Sequence, residues 1–235
     1  MGTKNEEPRT KNQTTALIVA AGSSRRMGFD KLAALLLGKP VLQRAIDAFD
    51  ACATVDAIIV VGGDVVREMV QSWIDEGSFR KPVSLCDGGS ERHLSVHEGL
   101  KKLSPQTEIV AVHDGARPLI TAEQITRCIE KAREVKAVAC ARPVTETLKR
   151  ADKHGVLSGS IDRAHAWIME TPQVFDRDLL CEAYELVLRD GLTVTDEVSA
   201  VQHLGASVSV VENSSPNLKI THPADLALAE RLLRG

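Results

Sequence analysis

Short apolar runs alternate with amphipathic helical stretches along most of this chain, and this alternation restricts the possible folds more than any other feature. A short, unbroken apolar run is typical of a strand that is covered on both faces. Strands that alternate with helices imply parallel βαβ units, whose right-handed crossovers give a doubly wound, Rossmann-like, mostly parallel sheet of the α/β class. The predicted strands are residues 16–20, 57–61, 83–86, 109–113, 138–141 and 208–211.

Apolar residues recur at helical spacing between these strands. Thr121 and Gln124 form the S/T-x-x-Q pattern of a capping box, which predicts that a helix begins there. Thr195 is predicted to cap a short helix that runs to Leu204. The other predicted helices cover residues 41–49, 64–74, 93–103, 176–188 and 223–233.

The length of 235 residues suits one large domain, since domains commonly contain roughly 100–200 residues. Residues 1–14 are polar and mixed in charge, so we expect a disordered tail before a single domain that spans 15–235. Residues 144–163 interrupt the alternation with two polar strands around a turn. Because a lone hairpin is marginally stable in water, this segment is either a loose excursion or, as we favour, a dimerisation arm that reaches another subunit.

Composition excludes several function classes. The net charge of −3 and an aromatic content of 3% argue against a nucleic-acid partner. No apolar stretch approaches the roughly 18–20 residues of a membrane span, so no membrane partner is expected. The amino-terminal residues lack the hydrophobic segment of a secretory signal, and the five cysteines include no C-x-x-C pair. We therefore expect a cytoplasmic protein with free thiols.

The loop after the first predicted strand is the strongest local signal for ligand binding. It runs from Ala20 to Gly28, and Lys31 follows shortly after it. Small residues allow backbone N–H groups to approach a phosphate chain, and Arg25 and Arg26 add positive charge. Since ligands of doubly wound sheets bind beyond the carboxyl ends of the strands, we predict a phosphate site here. The spacing alone leaves the substrate open, because the chain contains neither a Walker-type loop nor a G-x-G-x-x-G fingerprint.

Five further segments accompany this loop. They are DGGSER at 87–92, HDGARP at 113–118, TPQVF at 171–175, TDE at 195–197 and NLKIT at 217–221. The loop resembles the signature of nucleotidyltransferases with a glycosyltransferase-A-like fold. All six segments together resemble, in content and order, the 2-C-methyl-D-erythritol 4-phosphate cytidylyltransferase family of the non-mevalonate isoprenoid pathway. The likeness extends from about residue 16 to the last predicted helix.

The resemblance implies an enzyme that transfers CMP from CTP to 2-C-methyl-D-erythritol 4-phosphate. The acceptor phosphate attacks the α-phosphorus of CTP in line and pyrophosphate leaves, so catalysis consists mostly of positioning and electrostatic stabilisation. The family also implies Mg²⁺ or another divalent cation, and a homodimer in which the hairpin arm completes the neighbouring site. A cytidylyltransferase for ribitol 5-phosphate or another polyol phosphate is the nearest alternative, and a non-catalytic nucleotide-binding protein is a more distant one.

Residue roles follow from the family motifs, one position at a time. The resemblance implies that Arg26 stabilises the transition state and that Lys31 contacts the triphosphate. Arg163 and Lys219 match the cations that position the acceptor phosphate, and they complete the predicted catalytic set. The predicted nucleotide-binding residues are Ala20, Ala21, Gly22, Gly89 and Ser95. The predicted substrate contacts are Asp114, Arg117, Thr147, Thr171 and Thr195, of which Asp114 is also a candidate magnesium ligand, directly or through water.

Overall fold

The computed structural model describes residues 13–22 and 30–234. Its strands are β1 (Gln13–Val19), β2 (Leu35–Leu36), β3 (Lys39–Pro40), β4 (Ala57–Gly62), β5 (Val83–Asp87), β6 (Thr107–Asp114), β7 (Ala137–Pro143), β8 (Leu148–Ala151), β9 (Leu157–Ile161), β10 (Trp167–Asp176) and β11 (Ser209–Glu212). Its helices are α1 (Val41–Ala51), α2 (Asp64–Asp75), α3 (Arg92–Leu100), α4 (Ala122–Val135), α5 (Arg177–Arg189), α6 (Glu197–His203) and α7 (Pro223–Arg234). None of the helices in this described part of the chain is long and apolar enough to cross a bilayer.

Seven strands form the central sheet in the order β11–β7–β10–β6–β1–β4–β5. Four neighbouring pairs are parallel, whereas β10 runs antiparallel to both of its neighbours. The prediction of a mostly parallel α/β sheet is therefore confirmed. The chain moves outward from β1 to β4 and β5 and then returns to the other side of β1 as β6. This reversal of strand order opens a crevice at the carboxyl ends of β1 and β6, where ligands of such sheets bind.

Helices cover both faces of the sheet because alternate residues along each central strand point to opposite sides. Ile18 packs on one face with Phe49 of α1 and Ile125 of α4. Leu17 packs on the other face in the same cluster as Tyr184 of α5. All five side chains have almost no exposed surface, and burying each aliphatic or phenyl side chain contributes roughly 1.5–3 kcal/mol. The two clusters therefore hold the strand ends that carry the crevice in fixed positions.

The strand β10 is not predicted by the sequence pattern, although it lies in the middle of the sheet. Glu170, Thr171, Pro172 and Gln173 break the apolar run that a buried strand ordinarily shows. The polar side chains among them are buried all the same, and distant parts of the chain supply their hydrogen bonds. The side-chain oxygen of Gln173, for example, accepts the N–H of Val198 at 3.1 Å. Because this partner is distant in the sequence, no pattern of neighbouring residues indicates it. Hydrophobic periodicity therefore does not predict the strand.

Two helix starts test the capping predictions. Thr121 caps α4 as predicted, since its hydroxyl accepts the N–H of Gln124 at 3.2 Å. The prediction that Thr195 caps α6 is wrong, because the cap is Asp196, whose carboxylate accepts the N–H of Ser199 at 3.0 Å. Asp196 stands three residues before that amide, which is the spacing a capping side chain needs. Thr195 lies one residue too early and is exposed.

The amino-terminal boundary differs slightly from expectation. The first strand begins at Gln13, two residues before the predicted domain start at 15. Thr14 is fully buried, and its N–H donates to the carboxylate of Asp56 at 2.8 Å. Residues 1–12, which make up the rest of the predicted tail, lie outside the described residues.

Residues 144–163 contain the predicted hairpin. The strands β8 and β9 pair antiparallel, with Leu148 opposite Ile161 and Lys149 opposite Ser160. Every residue from 149 to 160 is exposed, including the apolar side chains of Val156 and Leu157. The core of this chain therefore does not cover the hairpin. The role of the hairpin as a dimerisation arm stays a prediction.

Candidate active site

A cavity of about 410 Å³ opens at the carboxyl ends of β1, β5 and β6. Four stretches of chain line it: the turn after β1, the loop between β5 and α3, the end of β6, and the segment before α7. It occupies the crevice that the strand order creates, which is also where the sequence predicts a phosphate site. The predicted site residues that line it are Ala20, Ala21, Gly22, Lys31, Gly89, Ser95, Asp114 and Lys219.

Close packing shapes the wall between the turn after β1 and the loop before α3. A Cβ atom on Gly88 would lie 2.3 Å from the Cβ of Ala21, so this approach requires glycine. The N–H of Gly89 donates to the hydroxyl of Ser95 at 3.1 Å, and that hydroxyl donates to the carbonyl of Glu91 at 3.0 Å. Ser95 therefore holds the loop in shape, and its predicted contact with a nucleotide stays a prediction.

Asp114 is the charged centre of the cavity. Its Oδ2 lies 2.8 Å from Lys219 Nζ and 3.5 Å from Arg117 Nε, and its Oδ1 lies 3.2 Å from Arg92 Nε. Burial alone would raise the pKa of Asp114, but the three cations outweigh it and hold this pKa well below its ordinary value. The carboxylate is therefore ionised throughout the neutral range and keeps Lys219 at the cavity.

Arg92 also lines the cavity, and it forms an ion pair with the fully buried Glu197. The sequence motifs give neither residue a role. The two Nη atoms of Arg92 donate to the two carboxylate oxygens of Glu197 at 2.6 and 3.1 Å, and the Tyr184 hydroxyl donates to the same carboxylate at 3.1 Å. Burial would lower the pKa of Arg92, but Glu197 and Asp114 raise it above its ordinary value. The guanidinium is thus fixed between two carboxylates. Helical spacing is the signal that could have found Glu197, because it shares the buried face of α6 with Ala200.

Thr171 supports Asp114 from beneath the cavity. Its hydroxyl oxygen accepts the N–H of Asp114 at 3.1 Å and lies 3.0 Å from Nδ1 of His113. Nε2 of His113 lies 3.1 Å from the carbonyl of Arg117, so we assign the ring proton to Nε2, and Nδ1 accepts from the Thr171 hydroxyl. Burial lowers the pKa of His113 to about 4, which keeps the ring neutral. Thr171 does not line the cavity, and its predicted contact with substrate stays a prediction.

Lys219 reaches the cavity from a segment that is tied down on both sides. The Arg117 guanidinium donates to the carbonyl of Asn217 at 2.8 Å. The N–H of Ile220 donates to the carbonyl of Ala116 at 2.8 Å. Both contacts fasten the segment to the turn after β6. Arg117 therefore holds this turn and the Lys219 segment together, and its side chain does not line the cavity.

Several predicted site residues lie elsewhere. Thr147 and Arg163 flank the hairpin and are exposed, as is Thr195. The guanidinium of Arg163 contacts the carbonyl of Thr145 near the start of the hairpin. Arg26 lies outside the described residues. Of the predicted catalytic set, the described part of one chain brings only Lys31 and Lys219 to the cavity.

The described residues do not form a resident metal site. No group of three His, Cys, Asp or Glu side chains in residues 13–22 and 30–234 is placed to hold an ion. Asp114, the candidate magnesium ligand, has both carboxylate oxygens in contact with cations. A direct bond from Asp114 to magnesium would place the ion next to Lys219 and Arg92, whose positive charges repel it, so this carboxylate fits a direct metal bond poorly.

A doubly wound sheet with a cation-lined crevice beyond β1 is typical of nucleotidyltransferases, and comparison with solved structures supports this class. The chain matches the crystal structure of 4-diphosphocytidyl-2C-methyl-D-erythritol synthase from Anaerococcus prevotii with a TM-score of 0.85 and 30% identity, covering 95% of this chain and 97% of that one. It matches the 2-C-methyl-D-erythritol 4-phosphate cytidylyltransferase of Thermus thermophilus with a TM-score of 0.77 and 30% identity, covering 95% and 100%.

Sequence comparison then gives the family. The family model described as IspD, 2-C-methyl-D-erythritol 4-phosphate cytidylyltransferase, matches residues 14–235. The enzyme of that name from Caldanaerobacter subterraneus subsp. tengcongensis is 40% identical over 94% of this chain and 98% of its own length. That from Prochlorococcus marinus is 42% identical over 92% of this chain and 96% of its own length. The chain belongs to the IspD family of cytidylyltransferases, and the resemblance read from its motifs is confirmed.

Proposed function

We propose that this chain transfers CMP from CTP to 2-C-methyl-D-erythritol 4-phosphate, giving 4-diphosphocytidyl-2-C-methyl-D-erythritol and pyrophosphate for isoprenoid precursor biosynthesis. Beside family membership, the observation that carries the proposal is the cavity into which Lys31 and Lys219 both project at the carboxyl ends of the strands. Two cations in a concave site suit a triphosphate and an acceptor phosphate that must approach each other despite their like charge.

The turn after β1 is the proposed binding site for the nucleotide. Its residues Ala20, Ala21 and Gly22 are small, so their backbone N–H groups can approach phosphate oxygens closely. Lys31 contacts the triphosphate, and Arg26 from the same loop stabilises the charge that builds up as pyrophosphate leaves. Gly89 and the loop held by Ser95 form the side that faces the cytidine.

Lys219 and Asp114 form the proposed binding site for the acceptor. One of the three donors of the Lys219 ammonium is directed to Asp114 at 2.8 Å, which leaves two for a phosphate. Asp114 accepts hydrogen bonds from acceptor hydroxyls, while Thr171 and Arg117 hold it in place. An acceptor phosphate oxygen fixed in this way forms a bond to the α-phosphorus as the bond to the β-phosphate breaks.

A second copy of the chain completes the acceptor site in this proposal. Thr147 and Arg163 are exposed beside the hairpin and lie outside the cavity of their own chain. The hairpin also carries the exposed apolar side chains of Val156 and Leu157, which a partner surface would cover. We infer a homodimer in which each arm brings these residues, with Thr195 of the receiving chain, to the acceptor.

Magnesium enters with CTP in this proposal. Because the cations around Asp114 disfavour direct coordination, phosphate oxygens and water would hold most of the ion's coordination positions. The ion would neutralise part of the triphosphate charge, and Lys31 would contact the same phosphates. We place the reaction in the cytoplasm, where the five cysteines remain free thiols.

Release of pyrophosphate from CTP, magnesium and 2-C-methyl-D-erythritol 4-phosphate tests the function directly. Lys219→Ala should lower kcat/KM by about 10²–10³, the cost of removing one charge-stabilising donor. The matched control is Lys101→Ala, because Lys101 forms a solvent-exposed ion pair with Glu98 at 2.5 Å and lies outside the cavity. Ribitol 5-phosphate is run in parallel, and turnover with it alone would contradict the proposed acceptor.

A further inference from the structure

A buried carboxylate lies behind the Lys219 segment, in a position for which the family motifs give no role. Glu170 of β10 is 5% exposed. Its Oε2 accepts hydrogen bonds from the side-chain amides of Asn213 at 2.9 Å and Asn217 at 3.2 Å. The Cys140 thiol also lies 3.9 Å from this oxygen, and Arg142 Nε lies 3.6 Å from Oε1. Glu170 thus joins β7, β10 and the chain that follows β11.

Asn217 is held by this carboxylate in one orientation only. Its Nδ2 donates both to Glu170 and to the carbonyl of Thr171, at 3.2 and 2.7 Å. Both partners accept and neither can donate, so the amide cannot be turned over without losing both bonds. The Oδ1 atom is buried and accepts no hydrogen bond from residues 13–22 or 30–234, so within this part of the chain the Asn217 amide acts only as a donor.

The position of Lys219 depends on this anchor. Asn217 stands two residues before Lys219, and its carbonyl accepts from Arg117 at 2.8 Å. The N–H of Ile220, on the other side, donates to the carbonyl of Ala116 at 2.8 Å. The Lys219 side chain itself is 41% exposed, and its ammonium contacts Asp114 at 2.8 Å. The backbone anchors on both sides therefore decide where its ammonium can reach.

We propose that Glu170 is a positioning residue for the reaction: through Asn217 it fixes the segment that presents Lys219 to the acceptor phosphate. The inference rests on the role proposed above for Lys219. Glu170 touches no substrate. It accepts hydrogen bonds from the side-chain amides of Asn213 and Asn217, which precede Lys219 in the chain. Its removal frees the segment to move, and a displacement of about 1 Å can cost on the order of 100-fold in rate.

A double-mutant cycle on kcat/KM for the acceptor tests this. Glu170→Ala should lower kcat/KM by about 10–100-fold in the wild-type background and hardly at all in a Lys219→Ala background, because its effect passes through that lysine. Glu170→Gln keeps an acceptor oxygen of the same shape and should stay close to wild type. Equal losses in both backgrounds, or a Gln variant as impaired as the Ala variant, would overturn the proposal.

Hydrogen–deuterium exchange provides a readout that does not depend on activity. The amide of Ile220 should exchange faster in Glu170→Ala and in Asn217→Asp, which replaces the donor with a second carboxylate facing Glu170. The control is Asp50→Ala, which also removes a buried carboxylate, one that accepts the N–H groups of Arg80 and Lys81 at 3.0 and 2.9 Å.

Unchanged Ile220 exchange in both variants, or the same acceleration in the Asp50 control, would also overturn the proposal. A wild-type protein that releases no pyrophosphate would refute the proposed function, and the exchange data would still decide whether Glu170 anchors the segment.

Discussion

We predict that His113 makes the stability of this protein depend on pH below neutrality. The imidazole is completely buried, and its ring centre lies 5.0 Å from that of Phe49. Nε2 donates to the Arg117 carbonyl, and Nδ1 accepts from the hydroxyl of Thr171. A second proton would have to enter at Nδ1, break the contact with Thr171 and place a charge where no water solvates it. Burial therefore lowers the pKa of His113 to about 4 in the folded state.

The size of the effect follows from linkage. In the unfolded chain the pKa of a histidine is about 6.5, so between pH 6.5 and 4 the unfolded state binds a proton that the folded state does not. The neutral, buried His113 therefore contributes fully to the unfolding free energy above pH 6.5, and this contribution is lost as the pH falls toward 4. The full contribution is about 3 kcal/mol. For a domain of this size that equals a decrease of about 6–12 °C in melting temperature.

His113→Gln provides the comparison, since its amide can donate to the Arg117 carbonyl and does not titrate. Melting temperatures of both proteins are measured from pH 7.5 to 4.5. Carboxylates titrate in both and cancel, so the wild-type curve should fall more steeply below pH 6.5 by most of the amount derived above. Parallel curves would refute the reasoning, whatever the stability of the variant at neutral pH.

Three further predictions concern the ion pair, the metal and the arm. Glu197→Gln should lower the unfolding free energy in urea by about 1–2 kcal/mol, because Arg92 loses one of its two carboxylate partners and keeps Asp114. Asp190→Asn at an exposed ion pair should leave the urea midpoint unchanged. EDTA should abolish pyrophosphate release without changing the melting temperature, and a lower melting temperature would indicate a structural metal. Deletion of residues 151–159 should yield a smaller species in sedimentation and a higher KM for the acceptor, while the affinity for CTP is preserved. A dimer and an acceptor KM that are both unchanged would show that the arm has no part in the mechanism.

The motif-bearing loops could be predicted from sequence because their signals are local. Small residues directly after an apolar run, as in Ala20 to Gly22, indicate a turn at the end of a buried strand, and that turn lines the cavity. The helix cap at Thr121 is equally predictable, because the Thr121 hydroxyl accepts from the N–H of Gln124, only three residues further along the chain. The cap at Asp196 was missed because two neighbouring residues can both cap a helix and only the backbone path selects one.

Local sequence patterns indicate most of the strands and helices and the loops that carry small and charged residues, because periodicity and turn chemistry depend on near neighbours. The antiparallel β10, the Arg92–Glu197 pair and the Glu170 anchor become apparent only in the folded chain. Each of these contains a buried polar group whose partner lies between 23 and 105 residues away along the chain. Such groups are stable in the core only when distant segments fold against them, so their roles become visible only in the folded molecule.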